Sequence, residues 1–419
     1  MFLQKNYVIF KRFYIKRKTW SNAFNKLMNK KIFISTGEVS GDLHGSLLSK
    51  ALLEEAKKKY IDLEICGLGG ERMKKEGVKI LKDTTSISAI GIWEALPLII
   101  PTMIIQKRFY KLLKKYPPDC LILIDYMGPN IKIGTKLKRS RTKIPIFYYI
   151  APQEWAWRVG NNSTTNLINF SDKIFAIFKK EAEFYKKRGG NVFWVGHPMI
   201  DLTKKLPPKK VARTILSLRS DENILLLMPA SRPQELKYIL PTFMIAAKKL
   251  QQKYPSLVVY IPSCRKVFDV KFNDAFRKYQ VKGKVISQKD NARLKPYIYS
   301  LTKIAFCKSG TVNMELALYG IPQIVGYRVS RITAFIAKKI LNFKVRFISP
   351  VNLLVNKLII PEFVQREFDE KKIFYKSCKI LEGESEKIKI KKGYAFLKKE
   401  LGEEGVVQRA AKEIINSII

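Results

Sequence analysis

An α/β fold built on open parallel sheets is predicted by three features of the chain. Short apolar runs recur along it, among them Lys31–Thr36, Asp119–Asp125, Asn223–Met228 and Lys303–Cys307, and each stops at a glycine, an aspartate or a turn of small residues. The turns lead into segments with helical spacing of apolar residues, so strand, loop and helix repeat in that order. The 419 residues, 47% of them hydrophobic, can fill two ordinary cores. Length over ~150 gives two to three domains, of which two is the expectation.

Composition narrows the partners without choosing one. The 79 Lys plus Arg against 35 Asp plus Glu leave +44, which attracts any polyanion: nucleic acid, acidic lipid or phosphorylated substrate. The cations are mostly lysine and are spread along the whole chain, so a composition bias explains them as well as one binding patch does. No aromatic-and-basic module, zinc-finger spacing or heptad repeat is present, and nucleic acid is not an expected partner. Cys66, Cys120, Cys264, Cys307 and Cys378 are odd in number and never form CxxC, which fits buried thiols in a reducing compartment. Residues 1–30 contain no acid but eight lysines and arginines, and they lack the apolar core and cleavage site of a secretory signal. A targeting extension, a membrane-surface arm and an unstructured leader all stay open for them.

The first strand, Lys31–Thr36, runs into GEVSGDLHG before the helical Leu47–Tyr60. The glycine spacing does not meet the dinucleotide fingerprint. Glu38, Ser40, Asp42 and His44 crowd one short loop; it is either a turn with Asp42 as helix cap or a binding site. Leu63–Gly70 is a second strand entering a glycine turn, where a ligand or a packed helix can approach the backbone. Ile87–Ile105 is the most apolar stretch, but Glu94, Pro97 and Pro101 interrupt it as a membrane span. The basic and apolar residues that follow, from Lys107 to Lys115, suit either a headgroup-level helix or a buried hairpin of helices.

Asp119–Asp125 is an apolar strand ending on a carboxylate. At the carboxyl end of a central parallel strand, Asp125 would face a ligand partly desolvated, with its basicity raised toward what deprotonating an alcohol needs; the alternative is a helix cap. Ile144–Ile150 leads into Ala151–Arg158, where Trp157 and Arg158 could stack on or clamp a sugar, although tryptophans also anchor cores. Lys173–Phe178 and Asn191–Pro198 are further strands, the second ending at His197.

The linker is expected within Asp201–Asp221. Beyond it, Asn223–Met228, Leu257–Ser263, Lys284–Gln288, Lys303–Cys307 and Gln323–Tyr327 are the strands of a second sheet. Arg232 can hold a diphosphate in fork geometry, with Glu235 fixing it, or form a surface salt bridge. Ser309-Gly310-Thr311 precedes a helix that ends at Gly320-Ile321-Pro322. Its first backbone N–H groups lack partners and favour an anion by ~0.3–1 kcal/mol. Glu315, one turn later on the same face, can accept from vicinal hydroxyls, so the pair suits a nucleotide sugar or is simply a capped helix with a solvated acid. Residues 366–419 have the pattern of charged amphipathic helices.

In order along the chain, GEVSGDLHG, GLGGERM, IDYMGPN, QEWAWR, VGHP, ASRPQE, SGTVNMELALYGIP and SPVNLL with Pro361-Glu362 resemble the lipid-A-disaccharide synthase family of GT-B glycosyltransferases. The resemblance runs from about Lys31 to the C-terminus. It implies two Rossmann-like domains facing across a cleft, residues 31–205 for acceptor and membrane and 206–380 for the UDP-sugar, with helices from 381 to 419 returning to the first. The implied reaction joins UDP-2,3-diacylglucosamine to 2,3-diacylglucosamine 1-phosphate with inversion and release of UDP. A UDP-sugar epimerase, another lipid acceptor, or a non-catalytic basic surface protein are the rivals.

The same resemblance makes Asp125 the base for the acceptor 6-hydroxyl. Taken with the loop readings above, the expected substrate-binding positions are Glu38, Ser40, Asp42, His44, Asn130, Trp157, Arg158 and His197. Nucleotide-binding positions fall at Arg232, Glu235, Ser309, Gly310, Thr311, Glu315, Asn352 and Gln365. Ile90–Leu113 becomes the acyl-chain and membrane-docking region of a peripheral enzyme, on the cytoplasmic face of an inner membrane or in a plastid stroma, and a homodimer is compatible with it. No metal or other cofactor is implied, so activity should survive EDTA. Met127-Gly128-Pro129, Ala151–Glu154 and Ala230 depart from the family pattern, mostly on the acceptor side.

Overall fold

The computed structural model describes residues 28–37, 39–85, 92–140, 143–154, 162–330 and 346–419. The described chain forms two compact units: residues up to Pro198 together with Glu404–Ile419, and Met199–Glu403. Residues 1–27 of the basic N-terminal segment lie outside the described residues, and the first strand already begins at Met28.

The first unit holds seven strands: β1 (Met28–Ser35), β2 (Ile61–Gly69), β3 (Lys79–Asp83), β4 (Cys120–Ile124), β5 (Ile146–Tyr149), β6 (Lys173–Ala176) and β7 (Val192–Trp194). They pair in the order β3-β2-β1-β4-β5-β6-β7, every pair parallel. A parallel sheet is covered on both faces, so its central strands read as unbroken apolar runs; all five residues of β4 are buried. Phe33, Leu121, Leu123 and Tyr148 pack with Phe109, Leu113 and Phe170 in one buried cluster. The edge strand β3, KILKD, has no fully buried residue, which is why no apolar run announced it.

Of the apolar stretch Ile87–Ile105, residues 87–91 lie outside the described residues. The rest continues into a single helix, Ile92–Lys115, which includes Pro97 and Pro101. Among the described residues, no helix is long and apolar enough to cross a membrane. Gln106, Phe109 and Leu113 turn inward, whereas Ile100, Met103 and Ile104 are exposed. The last helix, Val406–Asn416, packs against the helix Val39–Lys58 through an apolar face that includes Ala410, Ala411, Ile414 and Ile415. The Arg409 guanidinium donates to the Val195 carbonyl at 2.8 and 3.2 Å, and Lys173 pairs with Glu413.

The second unit holds β8 (Asn223–Met228), β9 (Leu257–Pro262), β10 (Gly283–Ile286), β11 (Thr302–Cys307), β12 (Gln323–Tyr327) and β13 (Glu362–Val364). Their order is β10-β9-β8-β11-β12-β13, again parallel throughout. The helix Glu384–Leu401 belongs to this unit. Buried Tyr394 donates to the Ile321 carbonyl at 3.0 Å and accepts from Gln323 Nε2 at 3.2 Å. The helix Val406–Asn416 lies with the first unit, and the units divide at Pro198/Met199.

Candidate functional site

Both sheets reverse their strand order once near the middle, between β1 and β4 in the first unit and between β8 and β11 in the second. In an open parallel sheet, loops leaving adjacent strands at such a point go to opposite faces and open a crevice at the carboxyl edge. Four of the eight motifs singled out in the sequence follow these four strands. GEVSGDLHG follows β1, Asp125 follows β4, Arg232 follows β8 and Ser309-Gly310-Thr311 follows β11.

In the first unit, Asp125 and Tyr126 have positive φ, 45° and 50°. Two successive non-glycine residues in the left-handed region cost energy and persist only when neighbours hold them. Asn130 does so. It is fully buried, and its Nδ2 donates to the carbonyls of Asp125 at 2.9 Å and of Ile124 and Ser35 at 3.2 Å, while its Oδ1 accepts from Ser35 Oγ at 2.8 Å. The buried Tyr148 hydroxyl adds a second donor to the Asp125 carbonyl at 2.7 Å. Asn130 therefore shapes the carboxyl ends of β1 and β4 from beneath, and the half-buried Asp125 is the residue they present.

Gly37 before the helix Val39–Lys58 and Gly41 in its first turn answer to close packing. A Cβ on Gly37 would lie 2.1 Å from the Tyr126 ring, and one on Gly41 1.8 Å from Thr36 Oγ1. Asp42 caps a helix, but not its own. Its carboxylate accepts from the backbone N–H groups of Gly70 (2.8 Å), Arg72 (3.1 Å) and Met73 (3.2 Å), so it anchors the start of the helix Glu71–Lys75 and the GLGGERM turn. Ser40 is half-buried in the first turn of Val39–Lys58.

His44 and His197, the chain's two histidines, are both buried with ring centroids 6.4 Å apart, and Phe178 lies 5.1 Å from His197. Burial, with a smaller push from the Arg72 cation, lowers His44 to about 4; burial and then His44 lower His197 to about 3. Both are neutral at ordinary pH. Glu38, Trp157 and Arg158 lie outside the described residues.

The second unit repeats the arrangement with different parts. Asn313, fully buried in the helix Thr311–Leu318, accepts from the Gly310 N–H at 2.8 Å. Its Nδ2 donates to the Lys308 carbonyl at 3.2 Å and to Gln323 Oε1 at 3.0 Å. The turn is thereby held open at the helix start, where the first N–H groups, of Thr311 and Val312, have no acceptor within the helix. Ser309 Oγ donates to the Ile348 carbonyl at 2.6 Å, so its hydroxyl ties the turn to the segment that enters the helix Pro350–Val355. Glu315 pairs with Lys295 instead of standing solvated.

Glu235 caps the loop after β8. Its Oε2 accepts from Ser231 N at 2.6 Å and Arg232 N at 3.0 Å, and its Oε1 faces Lys308 Nζ at 2.9 Å and the Arg232 guanidinium at 4.0 Å. Asn352 is fully buried, with Nδ2 donating to Ile360 O and Glu362 Oε1, both at 2.7 Å, and Oδ1 accepting from Ile359 N and Ile360 N. Glu362 also accepts from Ile348 N at 2.7 Å and Ser349 N at 3.0 Å, so Asn352 and Glu362 together shape the loop that touches Ser309. Gln365, with φ 54°, offers its carbonyl to the Arg328 guanidinium at 3.3 Å.

Sequence reasoning missed Tyr148, Asn313, Glu362 and Lys308. The first three work through hydrogen bonds that only the folded chain brings together; Lys308 could have been found as the cation between β11 and its turn. Among the described residues no group of three or more His, Cys, Asp or Glu is arranged to hold a metal.

Against known proteins, the family described as "Lipid-A-disaccharide synthetase" matches residues 32–418. The lipid-A-disaccharide synthase of Prochlorococcus marinus (strain MIT 9313) is 48% identical over 386 residues, covering 92% of this chain and 98% of that protein. That of Gloeothece citriformis (strain PCC 7424) is 41% identical, covering 93% and 100%. Among solved structures, the S. aureus MnaA–UDP co-structure matches with TM-score 0.62 at 14% identity, covering 93% of this chain and 98% of that one. At that identity the likeness speaks to the fold.

Proposed function

Because the chain belongs to the lipid-A-disaccharide synthetase family, we propose that it is an inverting GT-B glycosyltransferase joining UDP-2,3-diacylglucosamine to 2,3-diacylglucosamine 1-phosphate, with lipid A disaccharide 1-phosphate and UDP as products. The observation that carries the reading is the family match over residues 32–418, and four of the motifs that fall within it follow β1, β4, β8 and β11, which supports it.

On this reading the Asp125 carboxylate takes the proton of the acceptor 6-hydroxyl as that oxygen attacks the anomeric carbon. The bond from that carbon to the diphosphate breaks, and UDP leaves with the electron pair. A positioned base contributes typically ~10²–10⁴ in rate. The departing charge meets the N-terminus of the helix Thr311–Leu318 and Arg232, donors fixed before reaction so that little reorganisation is needed. Glu315 is the candidate for the ribose hydroxyls. Asp42, Asn130, Asn352 and Glu235 act one step back, by holding the loops that carry these groups.

A peripheral membrane position is part of the proposal. Along the helix Ile92–Lys115 the outward side runs from exposed Ile100, Met103 and Ile104 to exposed Lys107, Arg108, Lys111, Lys114 and Lys115. An apolar end beside a basic collar suits insertion at the headgroup level of an acidic bilayer, where the acyl chains of both substrates reside. Incubation of purified protein with the two lipid substrates, with the products weighed, tests the whole. Disaccharide monophosphate and equimolar UDP are expected; an epimerised UDP-sugar with no disaccharide would overturn the reading.

A further inference from the structure

One cation at the nucleotide end of the second unit has no role in any of the motifs. Lys308 is the residue between β11 and the Ser309–Thr311 turn, and its backbone N–H donates to the Met228 carbonyl at 3.1 Å, fixing it beside the end of β8. Its side chain is only 14% exposed. The ammonium lies 2.9 Å from Glu235 Oε1, yet the contact lacks hydrogen-bond alignment, and Nζ donates no hydrogen bond among the described residues. At most one of its three N–H donors is engaged by that carboxylate. Glu235 keeps its other oxygen on the Ser231 and Arg232 N–H groups, so it stays in place if the ammonium moves.

The direction available to Lys308 is defined by Gly310. Among the described residues a Cβ built there would meet nothing nearer than Lys308 Nζ at 3.7 Å, so this ammonium is the described side chain that borders the turn. The unpartnered N–H groups at the start of Thr311–Leu318 border the same turn. A helix start and a half-sequestered ammonium converging on one open turn form an anion site with two kinds of donor.

We propose that Lys308 is a diphosphate-contacting residue: Glu235 holds its ammonium beside Gly310, and a bound nucleoside diphosphate draws it into charge-assisted hydrogen bonds over the turn. This rests on the nucleotide-sugar reading of the second unit and adds to it a residue that discriminates the diphosphate from the nucleoside.

The test is equilibrium binding of UDP, UMP and uridine to the full chain and to its Lys308→Gln and Lys308→Arg variants. Lys308→Gln should weaken UDP roughly ten- to a hundred-fold, the range of a hydrogen bond to a charged group, and leave uridine within about two-fold. It should also flatten the salt dependence of UDP affinity, while Lys308→Arg restores most of both. Unchanged uridine binding shows that the variant is folded. If Lys308→Gln bound UDP as the parent does, or lost UDP and uridine equally, the role of Lys308 would be overturned while the nucleotide reading stood. If the parent chain bound UDP no better than uridine, both would fall.

Discussion

The side-chain amide of Asn130 donates to the main-chain carbonyl of Asp125 at 2.9 Å, and the same nitrogen reaches the carbonyls of Ser35 and Ile124. One buried amide thus joins the carboxyl ends of β1 and β4 and stabilises the left-handed backbone at Asp125. Asn130→Ala removes a buried donor from all three carbonyls, of which that of Asp125 keeps the Tyr148 hydroxyl, and leaves Ser35 Oγ without its acceptor, which should cost roughly 3 kcal/mol. Asn130→Asp, of equal size, sets an acceptor against three acceptors and should be at least as harmful. Thermal melts should show the loss, and turnover measured well below the melting range should still fall, because the Asp125 backbone is no longer held. Normal turnover in a folded Asn130→Ala protein would mean that the clamp serves stability alone.

Asp125→Asn isolates the proton transfer from the shape. Asparagine tolerates the left-handed region as aspartate does, so the φ of 45° can be kept at little strain. The expected result is a loss of about 10²–10⁴ in kcat with an unchanged melting temperature and an unchanged UDP affinity. Near-normal turnover in the purified variant would remove Asp125 from the base role.

The strands that frame these sites were legible because parallel strands buried on both faces are continuous apolar runs that stop abruptly at polar loops; β4 and β11 are of this kind. Strands β3 and β13 were not, since one is a half-exposed edge and the other only three residues long. The candidate residues could be found, but their duties often could not. Asp42 stands where a cap of its own helix is expected, yet its carboxylate reaches backbone 28 to 31 residues away. The buried amides of Asn130 and Asn352 engage loop backbone and, for Asn352, the Glu362 carboxylate as well, partners that local spacing does not show. Local spacing reveals a polar residue at a strand end; which partners it meets depends on the strand order, and that is a non-local property.

The two histidines and Glu181 give the first unit opposing pH dependences. His44 and His197 titrate at about 4 and about 3 when folded against 6.5 when unfolded, so their contribution is fully present above about pH 6.5 and is lost as the pH falls toward 4. For His44 alone the loss is on the order of 3 kcal/mol. Glu181 is buried, accepting from the backbone N–H groups of Ile177 and Phe178, and burial raises it from 4.5 to about 8. Its contribution is therefore fully present below 4.5 and is lost as the pH rises to 8. Two histidines outweigh one acid below pH 6.5, so the combined contribution peaks near that value. Urea midpoints from pH 4 to 8 should show the peak, and Glu181→Gln should remove the decline on its alkaline side. A midpoint that rose steadily through pH 8 in the parent chain would contradict the assignment for Glu181.

The exposed stripe on Ile92–Lys115 makes separable predictions for its two ends. Ile100, Met103 and Ile104 are 69%, 52% and 46% exposed, and full burial of such side chains is worth ~1.5–3 kcal/mol each. Replacing all three by serine removes apolar insertion but no charge. Binding to vesicles of acidic phospholipid should then weaken at every salt concentration by a similar factor. Replacing Lys107, Arg108 and Lys111 by glutamine removes attraction but no apolar surface, so binding should weaken at low salt and converge with the parent at high salt, where charges near a surface are screened. The inward residues Phe109 and Leu113 are untouched in both variants, and the melting temperature should hold. Cosedimentation with acidic and neutral vesicles across a salt series reads both ends at once. Equal binding of the triple-serine variant and the parent would leave the stripe without a membrane role.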